Sequence, residues 1–116
     1  MGKIYKVVTI LESDERTESG NTESTPVEAG IFQETNLVLD ITAVAGTNPT
    51  LDVSIVSYDK ASATWVVVDS FAQQTGTGTT LKTITANLGY KIAAVWVIDG
   101  TDTPTFTFSI GATLKG

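Results

Sequence analysis

Apolar and polar residues alternate along most of this chain, and Gly-, Pro- and Asp-containing turn signals interrupt the alternation. Leu37, Leu39 and Ile41 share one side of a strand pattern that places Asp40 and Thr42 on the other. This alternation is typical of strands with one buried and one solvated face, and no segment shows a helical period. Strand-like segments are predicted at 3–12, 27–33, 37–44, 51–55, 64–71, 81–85, 90–98 and 105–114.

The number and spacing of these segments predict the fold class. Roughly seven or eight short strands with turns about 8–12 residues apart are typical of an all-β protein, a sandwich or a small barrel. We predict a single antiparallel β-sandwich domain over residues 1–116. The pattern leaves open whether its connectivity is immunoglobulin-like or jelly-roll.

One motif occurs twice. Residues 46–55, Gly-Thr-Asn-Pro-Thr-Leu-Asp-Val-Ser-Ile, match residues 100–110, Gly-Thr-Asp-Thr-Pro-Thr-Phe-Thr-Phe-Ser-Ile, with one additional residue in the second copy. Each copy combines a Gly- and Pro-containing turn signal with an alternating strand, and a β-rich segment precedes it (37–44 and 92–98). The repeat predicts two related β-hairpins, with turns at 45–49 and 100–104, in related places of one sandwich.

The strand at 90–98 differs from the others because it is apolar on both faces. Ile92, Ala94 and Trp96 lie on one side, and Ala93, Val95 and Val97 on the other. Such a strand is usually central and covered on both sides, or its second face contacts another subunit. Core packing is also predicted for Trp65 and Trp96, because both lie in apolar strands.

The net charge of −6 comes from one segment, since residues 12–34 hold seven acidic residues against Arg16 alone. Residues 13–25 are therefore predicted to form an exposed acidic loop or arm. The chain has no cluster of Lys and Arg able to neutralise phosphates, so we expect no nucleic-acid partner. No apolar run reaches the roughly 18–20 residues of a membrane span, and no membrane association is expected.

The residue types argue against catalysis. The sequence has no Cys and no His, which excludes disulfides, zinc–thiolate sites, imidazole bases and cysteine nucleophiles. Asp40 and Asp52 lie on the polar sides of neighbouring predicted strands, where a solvated sheet face is the better interpretation than a glycosidase pair. Asp99 and Asp102 are too few for the six to eight oxygen ligands of calcium and are interpreted as turn residues. We predict no enzyme and no catalytic, cofactor-binding or metal-binding residues.

Two further groups of residues resemble parts of binding sites. The Thr- and Gly-rich loop 75–80 superficially resembles a phosphate cradle, but a strand pattern follows it where a phosphate-binding loop needs a helix. A hairpin loop is therefore predicted. Tyr58 and Tyr90 lie at strand ends and are expected to be exposed, which makes them the candidates for an aromatic saccharide site.

The chain resembles the small β-rich structural proteins encoded beside the head genes of tailed bacteriophages. The resemblance rests on Glu15-Arg16-Thr17, on the run from Ile41 to Val53 (Ile-Thr-Ala-Val-Ala-Gly-Thr-Asn-Pro-Thr-Leu-Asp-Val), and on residues 100–109. It covers most of the chain, and the additional Thr103 departs from the pattern in one loop.

This resemblance implies a non-enzymatic virion protein, most naturally a head decoration or cement protein. It would bind the major capsid protein of the same phage on the outer head surface, often as a homotrimer, after synthesis in the host cytoplasm. The alternatives are a carbohydrate-binding or host-attachment module and a tail-tube component.

Overall fold

Two long strands pair with each other along nearly their whole length and organise the fold. A computed structural model describes residues 4–85 and 88–116. These residues form seven strands, all paired antiparallel, and no helix. The strands are β1 (Tyr5–Arg16), β2 (Gly20–Asn21), β3 (Val27–Glu28), β4 (Glu34–Asp59), β5 (Thr64–Ser70), β6 (Gly78–Ile84) and β7 (Lys91–Lys115). The predicted all-β, antiparallel fold class is confirmed.

The two predicted hairpins are wrong. β4 and β7 pair from Glu34 opposite Lys115 to Ser57 opposite Ile92, so both strands continue through the segments predicted as turns. Register shifts interrupt the ladder between Ala45 and Thr47 and between Thr47 and Thr50. The turns of the two copies meet here, with Thr47 opposite Thr101, and the strand of each copy pairs with the segment that precedes the other copy. The turn residues therefore produce an irregular crossing of two strands.

At the crossing, a glycine of one strand lies close to a proline of the other strand, and this contact occurs once in each direction. Gly46 has a φ of +105°, and a Cβ built on it would lie 2.7 Å from the Pro104 Cα. Gly100 has a φ of +134°, and its Cβ would lie 3.0 Å from the Pro49 Cα. Only glycine fits both the backbone conformation and the space. The hypothesis that the two copies occupy related places is confirmed, since they face each other across one ladder.

The crossing folds the β4–β7 ribbon onto itself. Twelve residues separate Trp96 from Phe108 along β7, which in an extended strand is about 40 Å. Their rings are nevertheless 5.9 Å apart, edge to face. The two halves of the ribbon therefore lie face to face as the two layers of a sandwich.

Each layer is completed by shorter strands. The first sheet contains β6, the N-terminal half of β4, the C-terminal half of β7 and β1, whereas the second contains β5, the other halves of β4 and β7, and β2 with β3. The connectivity that the sequence left open is thus a single hydrogen-bonded sheet of order β1-β7-β4-β5, bent into two layers.

The inner faces form one hydrophobic cluster, as the alternation predicts. It contains Leu37, Leu39, Ile41, Leu51, Val53, Ile55, Ile92, Ala94, Trp96, Phe106, Phe108, Ile110 and Leu114, among others. Trp96 is buried as predicted. The prediction for Trp65 is wrong: it is half-buried and contacts Tyr58 on the outer side of the second sheet.

Different contacts close the two open sides of the sandwich. On the β1 side, the Arg16 guanidinium carbon lies 5.4 Å from the Trp96 ring centroid and 5.6 Å from that of Phe108. On the other side, Lys82 of β6 pairs with Asp69 of β5 at 3.3 Å. Arg16 therefore contacts one aromatic ring from each layer, and an ion pair joins the opposite edges.

The segment 13–25, predicted as an exposed acidic loop or arm, has mostly exposed side chains. Its first residues belong to β1, and the rest of its backbone is docked on the domain. The Trp96 indole Nε1 donates a 3.0 Å hydrogen bond to the Glu18 carbonyl, and the Ala94 amide donates to the buried Thr22 hydroxyl. Gly20 pairs with Trp96 at a distance that leaves no room for a Cβ.

The other local predictions follow the sequence pattern. The sequence Tyr-Asp-Lys-Ala-Ser at 58–62 predicts a turn, and the turn lies at residues 60–63, between β4 and β5. Residues 27–33 contribute the short edge strand β3. The sequence Asn-Leu-Gly at 87–89 also predicts a turn and lies partly outside the described residues.

We predict that Gly46→Ala lowers the free energy of unfolding by about 2 kcal/mol, because alanine is strained at this φ and its Cβ would contact the Pro104 backbone. Urea denaturation measures the change. Gly111→Ala is the matched control, since Gly111 lies in β7 with open space around a built Cβ. Equal effects of the two substitutions would contradict this account of the crossing.

Candidate interaction surface

The structure separates the first of the two acidic pairs and places the second at the crossing. Asp40 and Asp52 lie on different sheets, on either side of the crossing, where each accepts a 3.0 Å hydrogen bond, from Thr79 and Gln73 respectively. They are solvated sheet-face residues, as interpreted, and no cleft joins them.

Asp99 and Asp102 both accept hydrogen bonds at the crossing. The Asp99 carboxylate accepts a 2.8 Å hydrogen bond from the Gly100 amide, and the Asp102 carboxylate accepts one from the Thr47 hydroxyl.

Within residues 4–85 and 88–116, no three His, Cys, Asp or Glu residues are grouped as a metal site would require. The same residues contain no helix able to cross a membrane. Residues 75–77 lead into β6, which includes 78–80, so a strand follows here as predicted. The predicted hairpin loop is wrong, because β5 and β6 each pair with β4 and not with each other.

The outer face of the second sheet carries an unusual set of residues. Its centre consists of small and β-branched apolar side chains from β5, β4 and β7, which we call the valine face: Val56, Val67, Ala93, Val95 and Val97. Val67 and Val97 are exposed to 58% and 48%, whereas Val56 and Ala93 are buried, at 4% and 0%. The solvent-accessible members of the valine face are therefore Val67, Val97 and the half-buried Val95.

The same strand has a polar outer face in the other layer. The outward residues of β7 in the first sheet are Thr105, Thr107, Ser109, Gly111 and Thr113. On that face the exposed apolar side chains include Tyr5 and Val7 on β1 and the cross-strand pair of Val38 on β4 with Leu81 on β6. β7 thus contributes hydrophilic outward residues to the first sheet and part of the valine face to the second. Only the hydrophilic surface is typical of a solvated sheet.

An aromatic row borders the valine face at the end away from the crossing. The ring centroids of Tyr58 and Trp65 are 5.2 Å apart, and those of Tyr58 and Tyr90 are 6.0 Å apart. The Lys91 ammonium lies 4.8 Å from the Tyr58 centroid and 5.2 Å from that of Tyr90. The rings are tilted to one another by 59° and 77°, so the row is a packed cluster and not a flat platform.

Charges lie at opposite ends of the valine face. Lys91 lies in the aromatic row, and Asp52 lies beside Val97 near the crossing, with Asp99 beyond it. Glu28 is the register partner of Lys91 on β3, but the two form no ion pair. The Lys91 end of the valine face therefore carries a cation with the Glu28 carboxylate beside it, and the end near the crossing carries carboxylates.

The turn beside the aromatic row holds Asp59 in its ionised form. The Ser62 hydroxyl donates a 2.6 Å hydrogen bond to the Asp59 carboxylate, and the Ala61 amide adds a longer one at 3.4 Å. The Ser62 hydroxyl, with smaller help from the backbone amides of Ala61 and Ser62, lowers the pKa of Asp59 from its ordinary value. This stabilises the connection between β4 and β5.

Sequence reasoning found part of this surface. It placed Tyr58 and Tyr90 at exposed strand ends, and the structure brings them together, with Tyr90 exposed and Tyr58 half-buried. It missed Trp65 and Lys91, because their proximity to Tyr58 depends on the pairing of β4 with β5 and on the start of β7. The available signal was the second apolar face of the strand at 90–98.

Comparison with known proteins gives a likeness in structure alone. No protein-family model matches the sequence, and no curated protein matches it significantly. Among solved structures, the chain is similar to the SPBc2 prophage-derived protein YomS, with a TM-score of 0.63 and 12% sequence identity. The similarity covers 100% of this chain and 96% of that one. At this identity the match shows a shared fold.

We predict that Ser62→Ala raises the pKa of Asp59 towards its ordinary value, because the strongest hydrogen bond to the carboxylate is removed. In the native protein the pKa is lowered, so ionised Asp59 stabilises the fold above its ordinary pKa. That contribution is lost as the pH falls through the lowered pKa. An NMR titration of the Asp59 carboxyl carbon measures both proteins. Ser70→Ala, which removes a hydroxyl bonded to Ser54, should leave the titration unchanged.

Proposed function

We propose that this chain is a structural protein of a phage virion, a decoration protein that binds the major capsid protein on the outer head surface and stabilises the head. The observation that carries the proposal is the end-to-end likeness of its fold to a prophage-derived protein. The motif resemblance of residues 15–17, 41–53 and 100–109 to small phage structural proteins supports the same class. The role is adhesive and needs no catalytic group.

The acidic edge of the molecule offers a means of attachment. Glu12, Asp14 and Glu15 are exposed on β1, and Glu18 follows in the segment docked on Trp96. β1 pairs only with β7 among the described strands, so its other edge is open. A basic capsid surface would be attracted to this edge, and carboxylates held on a strand lose little conformational freedom on binding.

The energetics of such an attachment combine two terms. Apolar area removed from water contributes about 25 cal/mol per Å², opposed by the entropy lost on association. Charge complementarity adds orientation and a faster association rate. Many copies on one head would together oppose the outward movement of capsid subunits. The resemblance favours a homotrimer on the particle, which stays a prediction.

We expect the protein to be present in purified phage particles, and particles lacking it to lose their DNA at a lower temperature. Quantitative mass spectrometry and a thermal DNA-release assay measure the two outcomes. Glu12→Lys with Glu15→Lys should weaken attachment several-fold in a low-salt wash, whereas Asp40→Lys on the first sheet should not. Absence from particles would exclude the proposal, and recovery in tails or tubes would assign the chain to the tail tube.

A saccharide-binding host-attachment role is the second candidate. It is favoured by the convergence of Tyr58, Trp65 and Tyr90, since aromatic rings stack on the apolar faces of sugars. It ranks second because the rings are tilted and the Lys91 ammonium lies over two of them.

On this second hypothesis, the wild-type protein binds members of a glycan array, and both Tyr58→Ala and Tyr90→Ala lose that binding. Tyr5→Ala is the control, because Tyr5 is an exposed tyrosine on β1, outside the aromatic row. Melting temperatures of the variants show whether each remains folded. An array without binders, or equal binding by all variants, would exclude the hypothesis.

A further inference from the structure

The valine face has the composition of a protein interface. Val67 of β5 and Val97 of β7 are exposed on this face. In the first sheet, by contrast, the outward residues of β7 are Thr, Ser and Gly. Burial of these valines would remove apolar area from water without separating any charged group from its partner. The hydroxyls within the face also bond to each other, since Ser54 and Ser70 lie 3.0 Å apart.

The charges at the two ends indicate what covers it. Asp52 lies opposite Val97 of β7. Val97 is six residues from Lys91 on that strand, so the two charges are about 20 Å apart along the strand direction. A two-fold axis that lies in the plane of the contact and crosses the strands at the middle of the face brings Lys91 of one copy to the level of Asp52 of the other, and the reverse. The exposed valines then lie between the two ion pairs. A net charge of −6 disfavours most contacts between copies, but this face combines both signs with an apolar centre.

We propose that the valine face binds a second copy of this chain in a two-fold symmetric, face-to-face packing of the second sheets. Lys91 of each copy pairs with Asp52 of the other at the two ends of the contact. Tyr58 and Trp65 lie at the rim beside Lys91, where half-buried aromatic side chains add contact area.

The size of the face predicts a reversible dimer. Four strands spaced about 4.8 Å apart and seven residues of about 3.3 Å each give a footprint of about 400 Å² per partner. Stable interfaces usually bury about 800 Å² per partner. We therefore expect a dimer that dissociates on dilution, with a dissociation constant in the micromolar range.

Sedimentation equilibrium of the purified protein, from low micromolar to near-millimolar concentration, tests the inference. We expect a monomer–dimer equilibrium in the wild type. Lys91→Asp or Asp52→Lys alone should weaken the association by about tenfold or more, because each places like charges opposite each other at both ends. The double variant with both substitutions should restore it, because the pairs are then reversed.

Control variants make the result independent of folding effects. Lys60→Asp, in the exposed turn after β4, and Asp40→Lys, on the first sheet, change the same charges elsewhere and should leave association unchanged. Val97→Thr keeps the β-branched shape and should weaken the dimer several-fold without requiring a charge change.

Three results would overturn the inference: a monomer at every concentration, a trimer mass, or a folded double variant that fails to associate. The experiment uses purified protein alone and does not depend on the virion assignment. Absence from particles combined with dimerisation would remove the proposed function and leave this interface intact.

Discussion

The fold depends on the double contact between glycine and proline at the crossing of β4 and β7. Gly46 packs on Pro104 and Gly100 packs on Pro49, at distances that exclude any side chain at either glycine. Positive φ angles at both glycines, and at Asn48 and Asp102, interrupt the regular ladder there. The ribbon can consequently bend, and its two halves stack as the layers of a sandwich. Every core contact between the layers, including that of Trp96 with Phe108, requires this bend.

The bend also gives the molecule two chemically different outer faces. β4 and β7 are central strands in both layers, so each contributes outward residues to both surfaces. In the first sheet these residues are mainly Thr, Ser, Asn and Asp, which water solvates well. In the second they include the valine face, with Lys91 and Asp52 at its ends. A chain with acidic residues concentrated in 12–34 thus keeps one surface with an apolar centre and both signs of charge, which suits association with a like molecule.

The sequence predicts several residues of the candidate surface, but it does not predict which of them come into contact. The second apolar face of the strand at 90–98 indicated a covered or interacting surface, and Tyr58 and Tyr90 were placed at strand ends. Trp65 was assigned to the core because its strand is apolar. A bulge between Ile55 and Val56 and the position of β5 at the sheet edge place it outside. The alternation of apolar and polar residues indicates which residues share a face of a strand. Whether that face is buried depends on what packs against it.

The sequence by itself determined the all-β class, the inner residues of most strands and the relatedness of the two Gly-Thr-x-Pro copies. These follow from local rules, because strand alternation and turn chemistry act over a few residues. Only the tertiary structure decided that the turns of the two copies meet, that 13–25 is docked on Trp96, and that Tyr58, Trp65, Tyr90 and Lys91 meet. Those outcomes depend on contacts between residues far apart in the chain. A turn-forming sequence can end a strand or bend it, and the partner strand determines which occurs.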